Sequence, residues 1–304
     1  MNISINPTYF CNFDCEFCYL TPEQLADKTK IDLNKLDQLL AEVNSHANIS
    51  WIDLYGGEIG VLPDDYYNEM KSVIRKHYQG PINIITNFSI MSDRFFEEDV
   101  SLSVSYDFEA RQQSDRVFQN MLLSQKEIAV LMLASRQLLS IDVDYMINML
   151  NMCSSITSVE IKPYSINQAN SHQVSHRDFE LFVQKWLDSP VAKNFEFVNE
   201  TNIQDCLSKT YNAFSDDHLY ITPAGQLAVL DFDLNDREYF LPLNTFEEYL
   251  QWADKEKARL SPICQACPYS GHCLTEHYRY VKDLDNGCNG YRLLLENYAT
   301  RMED

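Results

Sequence analysis

The sequence predicts an α/β fold in which a parallel sheet carries its helices on the outside. Six short apolar segments alternate with segments of helical spacing over roughly the first 165 residues. That alternation is the pattern of parallel strands joined by crossover helices. Polar and glycine-containing motifs recur where the strands are expected to end, which is where α/β sheets place their chemistry. Beyond about residue 166 the alternation gives way to a helix, a hairpin and a run of cysteines, so a smaller α+β extension follows the sheet.

The elements follow in order. Ile3 and Ile5 alternate with polar residues and lead, as a first strand, into the stretch Cys11-Asn12-Phe13-Asp14-Cys15-Glu16-Phe17-Cys18. Asp32 stands as N-cap before Leu33, Leu36, Leu39, Leu40 and Val43, the apolar face of a helix. Trp51 to Tyr55 is a second strand ending in Gly56-Gly57-Glu58, and a helix from about Asp64 to Tyr78 follows. Pro81 opens the strand Ile82 to Asn87, and Ser103 to Tyr106 is the fourth, ending at Asp107. A helix over about 114–125, the strand Ile128 to Leu133, a helix from Asp142 to Met152 and the strand Val159 to Ile161 complete the alternation. Periodicity leaves open whether the sheet is doubly wound or curled toward a barrel. Ser165 to Gln173 reads as a polar connection, and Phe179, Phe182, Val183 and Trp186 mark a helix. Residues 219–230 read as a hairpin turning at Pro223-Ala224-Gly225, and Phe246 to Ala258 as a helix.

Composition narrows the classes of function. The 304 residues are 45% hydrophobic and 23% charged, ordinary for a globular chain. No stretch approaches the ~20 apolar residues of a membrane span. The N-terminus has no basic region of a signal peptide, so a cytoplasmic location is expected. The formal net charge of −21 repels phosphates, arguing against general nucleic-acid binding, and suits either solubility or a basic peptide partner. Nine cysteines in such a chain favour metal or redox chemistry over disulfides.

Those cysteines fall into two groups. Cys11, Cys15 and Cys18 have the spacing C-x3-C-x2-C, close enough for three soft thiolates to hold three corners of one iron–sulfur cube. No fourth cysteine lies nearby, so the fourth iron would be left open for a non-protein ligand. A structural zinc would want a fourth local Cys or His. Cys264, Cys267, Cys273 and Cys288 form the second group, which spacing alone allows to be a closed cluster or a structural zinc. Cys153 and Cys206 stand alone, the first suiting core packing.

The cysteine stretch after the first strand, with Phe17 just before its last cysteine, resembles the motif of the radical S-adenosylmethionine (SAM) enzymes. Gly56-Gly57-Glu58 after the second strand is similar to that family's Gly-Gly-Glu motif. The resemblance covers roughly residues 1–165 and implies a partial (βα)6 barrel. It implies that a 4Fe–4S cluster on Cys11, Cys15 and Cys18 binds SAM through its open iron, and that reductive cleavage yields a 5′-deoxyadenosyl radical. Gly56 and Gly57 would let the backbone approach the SAM amino group, with Glu58 accepting from it. Asn87, Ser105 and Asp107 are, by position, the further SAM contacts, although Asn87 and Asp107 equally suit capping of strand-to-helix turns. Arg116 and Arg136 could pair with the SAM carboxylate or lie as helix-surface charges.

Residues 206–295 resemble the SPASM/twitch extension of that family. A full SPASM domain has cysteines where this chain has Leu230 or Asp231 and His277. One of its two usual cluster sites is therefore incomplete, and the resemblance implies one auxiliary 4Fe–4S cluster on Cys264, Cys267, Cys273 and Cys288. Cys206 suits a relic ligand, a buried hydrophobe or a hydrogen donor to a substrate radical. Asp231 and Asp233, just past the hairpin, are the acidic candidates for catalysis. The expected organisation is a radical SAM core over 1–165, a connecting helical segment over 166–205 and an auxiliary-cluster domain over 206–304.

The function implied is hydrogen abstraction from a ribosomally made precursor peptide, installing a cross-link, an epimerised centre or an excision. An external flavodoxin- or ferredoxin-type donor would supply the electron. No domain precedes the first strand, so a leader-peptide-binding module is expected as a separate protein. The alternatives are a radical SAM dehydrogenase or transferase acting on a small molecule such as an amino sugar or alcohol, and a non-catalytic iron–sulfur or zinc protein.

Overall fold

The computed structural model describes residues 1–163, 174–214, 216–230, 240–258, 261–274, 288 and 291–303. Its strands are β1 (Asn2–Ile5), β2 (Trp51–Leu54), β3 (Ile82–Thr86), β4 (Val100–Ser105), β5 (Ile128–Leu133), β6 (Ile156–Lys162), β7 (Glu196–Phe197), β8 (His218–Ile221), β9 (Leu227–Leu230) and β10 (Phe240–Leu243). They form one sheet of ten strands in the order β10-β9-β8-β1-β2-β3-β4-β5-β6-β7. From β8 to β7 every neighbouring pair is parallel, and β9 and β10 add an antiparallel edge.

The helices are α1 (Pro22–Ala26), α2 (Leu33–His46), α3 (Asp64–Arg75), α4 (Ser114–Leu123), α5 (Arg136–Leu139), α6 (Val143–Asn151), α7 (His176–Asp188), α8 (Val198–Ser208), α9 (Phe246–Ala258), α10 (Pro262–Gln265) and α11 (Arg292–Glu303). Their starts follow local chemistry. Asp32 accepts from the Lys35 amide at the head of α2, Asp142 from Tyr145 at α6 and Ser175 from Asp178 at α7. Thr21 and Gln24 form a reciprocal capping box at α1.

Alternation along the strands decides the architecture. Ile3, Ile5, Ile52, Leu54, Ile82, Ile84, Val130, Met132, Val159 and Ile161 are buried in one core with Leu36, Leu40, Tyr67 and Met70 of α2 and α3. Each fully buried side chain of this kind contributes about 1.5–3 kcal/mol. The intervening residues, Ser4, Asp53, Asn83, Ser103, Ser158 and Glu160, line a cavity instead. His218 and Tyr220 of β8 line the same cavity as Glu160 and Lys162 of β6, although five strands separate the two in the sheet. The sheet is therefore curled, a partial barrel with an apolar outside and a lumen lined by these polar side chains together with apolar ones, Ile85 of β3 and Ala129, Leu131 and Leu133 of β5.

The sequence-predicted elements correspond closely to this structure. The predicted hairpin is present as β8 and β9, and β8 is also hydrogen-bonded to β1, so the hairpin continues the main sheet. No helix of the described residues is long and apolar enough to cross a membrane.

Candidate active site

Cys11, Cys15 and Cys18 lie on the loop after β1, at the carboxyl end of the barrel, and line a cavity of about 540 Å³. That volume suits a small-molecule or cofactor site. The loop is held by its own backbone: the Cys18 amide donates to the Cys15 carbonyl at 3.0 Å, and the Cys11 amide to Leu25 of α1 at 3.1 Å. Two amides aim at sulfur, Phe13 at Cys11 and Leu20 at Cys18, each at 3.4 Å.

Gly56-Gly57-Glu58 extends the β1–β2 pairing into this loop. The Gly57 amide donates to the Thr8 carbonyl at 3.0 Å and the Glu58 amide to the Phe10 carbonyl at 2.9 Å. Gly56 has φ +129°, and a Cβ on Gly57 would stand 2.1 Å from the Phe10 carbonyl oxygen. The glycines thus set the close approach of two loops as well as leaving space at the cavity wall. Glu58 is buried, and its carboxylate accepts from Thr86 Oγ1 at 2.6 Å, the Gly60 amide at 2.7 Å and the Asn87 amide at 2.8 Å. Burial pushes its pKa up, against the pull of those donors. Glu58 therefore fastens the glycine loop to the end of β3.

The remaining sequence candidates fall around the same rim. Asn87 donates to Asn12 at 2.9 Å and lies 3.9 Å from the Cys11 sulfur, while its carbonyl accepts from Ser89. Ser105 lines the cavity at the end of β4, and Phe17 lines it beside Cys18. Asp107 is fully buried and accepts from the Leu133 amide and from Arg111, whose Nε is 2.7 Å away. Arg116 and Arg136 are exposed on α4 and at the start of α5.

Arg111 is a cavity residue that the sequence reading passed over. Its guanidinium lies 3.8 Å from the Cys15 sulfur and 5.1 Å from the Phe17 ring centre. Burial works against its charge, but Asp107 and Cys15 outweigh this and raise its pKa. The available signal was its i,i+4 spacing from Asp107, a carboxylate already placed at a strand end. Asp53 and His218 were passed over too, although their alternation with Ile52, Leu54 and Leu219 marks the opposite face of each strand.

The donor set fits an iron–sulfur centre. Burial pushes the Cys11 thiol up to about 12 and Cys18 up to about 11, and raises Cys15 despite Arg111. A cationic centre would stabilise the thiolates that burial disfavours, and binding one would release their protons. No group of three or more His, Cys, Asp or Glu side chains among the described residues is already drawn together into a metal-holding set.

The C-terminal cysteines form a second neighbourhood. Cys264 and Cys267 are linked by a 3.1 Å backbone hydrogen bond at the end of α10, while Cys273 and Cys288 are buried. Burial raises the Cys273 thiol well above its usual value, and Cys206, Cys288, Cys267 and Cys264 push it further. Cys206, fully buried on α8, is pushed up to about 12 by burial and accepts from the Leu274 amide. Five thiols thus share this neighbourhood, while Cys153 is buried by itself behind α6. Asp231 and Asp233 lie outside the described residues.

No protein-family model matches the sequence, and no curated protein matches it either. Solved structures do. SuiB from Streptococcus suis, bound to the precursor peptide SuiA, superposes with a TM-score of 0.65 at 14% identity, covering 91% of this chain and 72% of SuiB. anSMEcpe with bound AdoMet gives 0.70 at 13% identity, covering 99% and 98%. anSMEcpe with AdoMet and the Cp18Cys peptide gives 0.65 at 13%, covering 99% and 97%. The chain shares the fold of these proteins across nearly its whole length.

Proposed function

We propose that this chain is a radical SAM enzyme that modifies a ribosomally made peptide. The observation that carries the reading is the convergence, on one cavity, of three cysteines at C-x3-C-x2-C spacing, a Gly-Gly-Glu loop and a barrel lumen bearing polar side chains. Cys11, Cys15 and Cys18 would hold a 4Fe–4S cluster, and Gly56, Gly57, Asn87 and Ser105 line the space for SAM. When bound, the pair supplies reductive cleavage of the sulfonium and a 5′-deoxyadenosyl radical. The chain's own groups set its surroundings. Arg111 places a positive charge beside Cys15, Phe17 and Arg111 cover the loop, and Glu58 braces it from behind. Ser105 makes no side-chain hydrogen bond among the described residues and so has its hydroxyl available to a ligand.

A peptide substrate is supported by two proteins of this fold, SuiB with a bound precursor peptide and anSMEcpe with a bound peptide. Cys264, Cys267, Cys273 and Cys288 would hold one auxiliary 4Fe–4S cluster, a reading supported by their shared neighbourhood. In this reading the boundaries near residues 165 and 205 separate roles rather than sheets, because β8 belongs to the main sheet. A cytoplasmic location and an external one-electron donor complete the proposal.

The test is an anaerobic reaction of reconstituted protein with SAM, dithionite and short peptides encoded beside the gene, followed by mass spectrometry. Formation of 5′-deoxyadenosine and methionine together with a peptide that loses two hydrogens, or takes up solvent deuterium, is expected. Deoxyadenosine with every peptide unchanged would move the substrate to a small molecule; no SAM cleavage at all would overturn the reading.

A further inference from the structure

The floor of the lumen carries a polar ladder that neither the cysteine loop nor the glycine loop explains. His218 Nε2 and Ser4 Oγ are 2.9 Å apart, Ser4 Oγ is 3.4 Å from Asp53 Oδ2, Asn83 donates to Asp53 Oδ1 at 2.8 Å, and Ser103 donates to Asn83 at 3.1 Å. The ladder crosses β8, β1, β2, β3 and β4, and every member lines the cavity. A barrel that needed only to fold would fill this space with apolar side chains.

Charge along the ladder is uneven. Arg111 is paired with Asp107, and Lys162 with Glu160 at 2.7 Å. Glu58 is saturated by three short hydrogen bonds. Asp53 takes only neutral partners among the described residues: the Trp51 indole at 2.8 Å and Asn83 at 2.8 Å on Oδ1, and Ser4 at 3.4 Å on Oδ2. Oδ2 is thus weakly satisfied, by a hydroxyl that can instead serve His218. A half-buried carboxylate without a cationic partner favours one strongly.

We propose that the lumen floor is a recognition subsite for a cationic side chain, the ammonium of lysine or the guanidinium of arginine, with Asp53 as its counter-ion. The cation donates to Asp53 Oδ2, Ser4 turns its proton to His218, and Asn83, itself held by Ser103, donates to the carboxylate from the other side. The net charge of −21 brings such a group to the cavity from outside. Placing that side chain in a substrate peptide rests on the function proposed above; the subsite itself needs neither SAM cleavage nor a radical.

Trp51 supplies the reporter, because its indole N–H donates to the same carboxylate. The cluster-loaded protein, with SAM but no reductant, is titrated with Nα-acetyl-lysine amide, Nα-acetyl-arginine amide or the neutral Nα-acetyl-norleucine amide. The Trp51 indole signal, assigned by its loss in Trp51→Phe, is followed by 15N NMR. A saturable shift with one or both cationic amides, and none with norleucine amide, is expected. Asp53→Asn should weaken binding by roughly 10- to 100-fold, while Ser4→Ala, which leaves the carboxylate, keeps the preference for a cation. An equal response to norleucine amide, an unchanged lysine or arginine response in Asp53→Asn, or no saturable shift in the wild-type protein would each overturn the proposal. SAM cleavage measured separately on the same samples tests the radical SAM reading without reference to this outcome.

Discussion

The two cysteine neighbourhoods differ in what surrounds equivalent sulfur atoms. Cys11, Cys15 and Cys18 line an open cavity, which polar side chains such as Ser4, Asp53, Asn83 and His218 line as well. Cys273 and Cys288 are buried, with Cys206 of α8 pressed close to Cys273. Three thiols on a cavity wall leave space beside them for something that arrives, whereas Cys273 and Cys288, enclosed by packing, offer an arriving ligand little access. The difference parallels the one between catalytic and structural metal sites, and it predicts that the two groups fail differently when damaged.

The largest contrast should come from the cysteines themselves. Cys15→Ala removes a corner of the cavity-facing set, and SAM cleavage should fall below detection. Cys267→Ala should leave SAM binding and cleavage within a few-fold of wild type while lowering the iron content by about one cluster. Iron and sulfide analysis with deoxyadenosine quantification checks both. Cleavage surviving in Cys15→Ala, or disappearing in a soluble Cys267→Ala protein, would break the distinction between an open and a closed centre.

A smaller contrast lies in the glycines. Gly57 packs its Cα against the Phe10 carbonyl, and an added Cβ would sit 2.1 Å from that oxygen. Gly271, in the C-terminal neighbourhood, has φ +82°, but among the described residues its Cβ would meet nothing closer than Phe214 at 3.6 Å. Gly57→Ala must therefore push two backbone segments apart, at a cost of about 3 kcal/mol or more, and should displace the cysteine loop. Gly271→Ala pays only for its dihedral angle, about 1–2 kcal/mol. Chemical denaturation gives both values, and cluster loading of the two variants shows which site depends on the approach of its loops.

Much of this was legible in the sequence because it is local. The Asp32 and Asp142 caps, the alternation Ile3/Ile5 and the cysteine and glycine motifs at strand ends all act over a few residues. What was not legible depends on distant pairing. The sequence does not announce that Ser4 of β1 meets His218 of β8, 214 residues away. Nor does it announce β7, whose two residues carry no period. Arg111 escaped notice because its position follows from the turn after β4, where Phe108 and Gln113 both adopt positive φ. The glycine motif by itself indicates clearance toward a ligand; its second constraint, the carbonyl of Phe10, is visible only with both loops in place.

The smallest expected effect compares the buried carboxylates that brace the two regions. Glu58 accepts three hydrogen bonds of 2.6–2.8 Å. Among the described residues Glu180 of α7 accepts two longer ones, from the Leu294 amide of α11 at 3.2 Å and from Arg177 at 3.3 Å. Burial raises the pKa of both. A carboxyl whose folded pKa lies above its unfolded value, about 4.3 for Glu, binds its proton more tightly in the folded state. Its contribution to stability is complete below the unfolded pKa and is lost as pH rises through the folded one. Glutamine mimics the protonated form, so Glu180→Gln should lose at most about 1 kcal/mol at pH 4 and recover relative to wild type as the pH climbs. Glu58→Gln must turn an NH2 toward one of three donors and should remain the less stable variant at every pH, by about 1–3 kcal/mol. Melting temperatures of both variants between pH 4 and 8 decide the matter. A Glu180→Gln deficit that grows with pH would mean that the ionised carboxylate, through Arg177 and the head of α11, holds the C-terminal helix more firmly than its long hydrogen bonds imply.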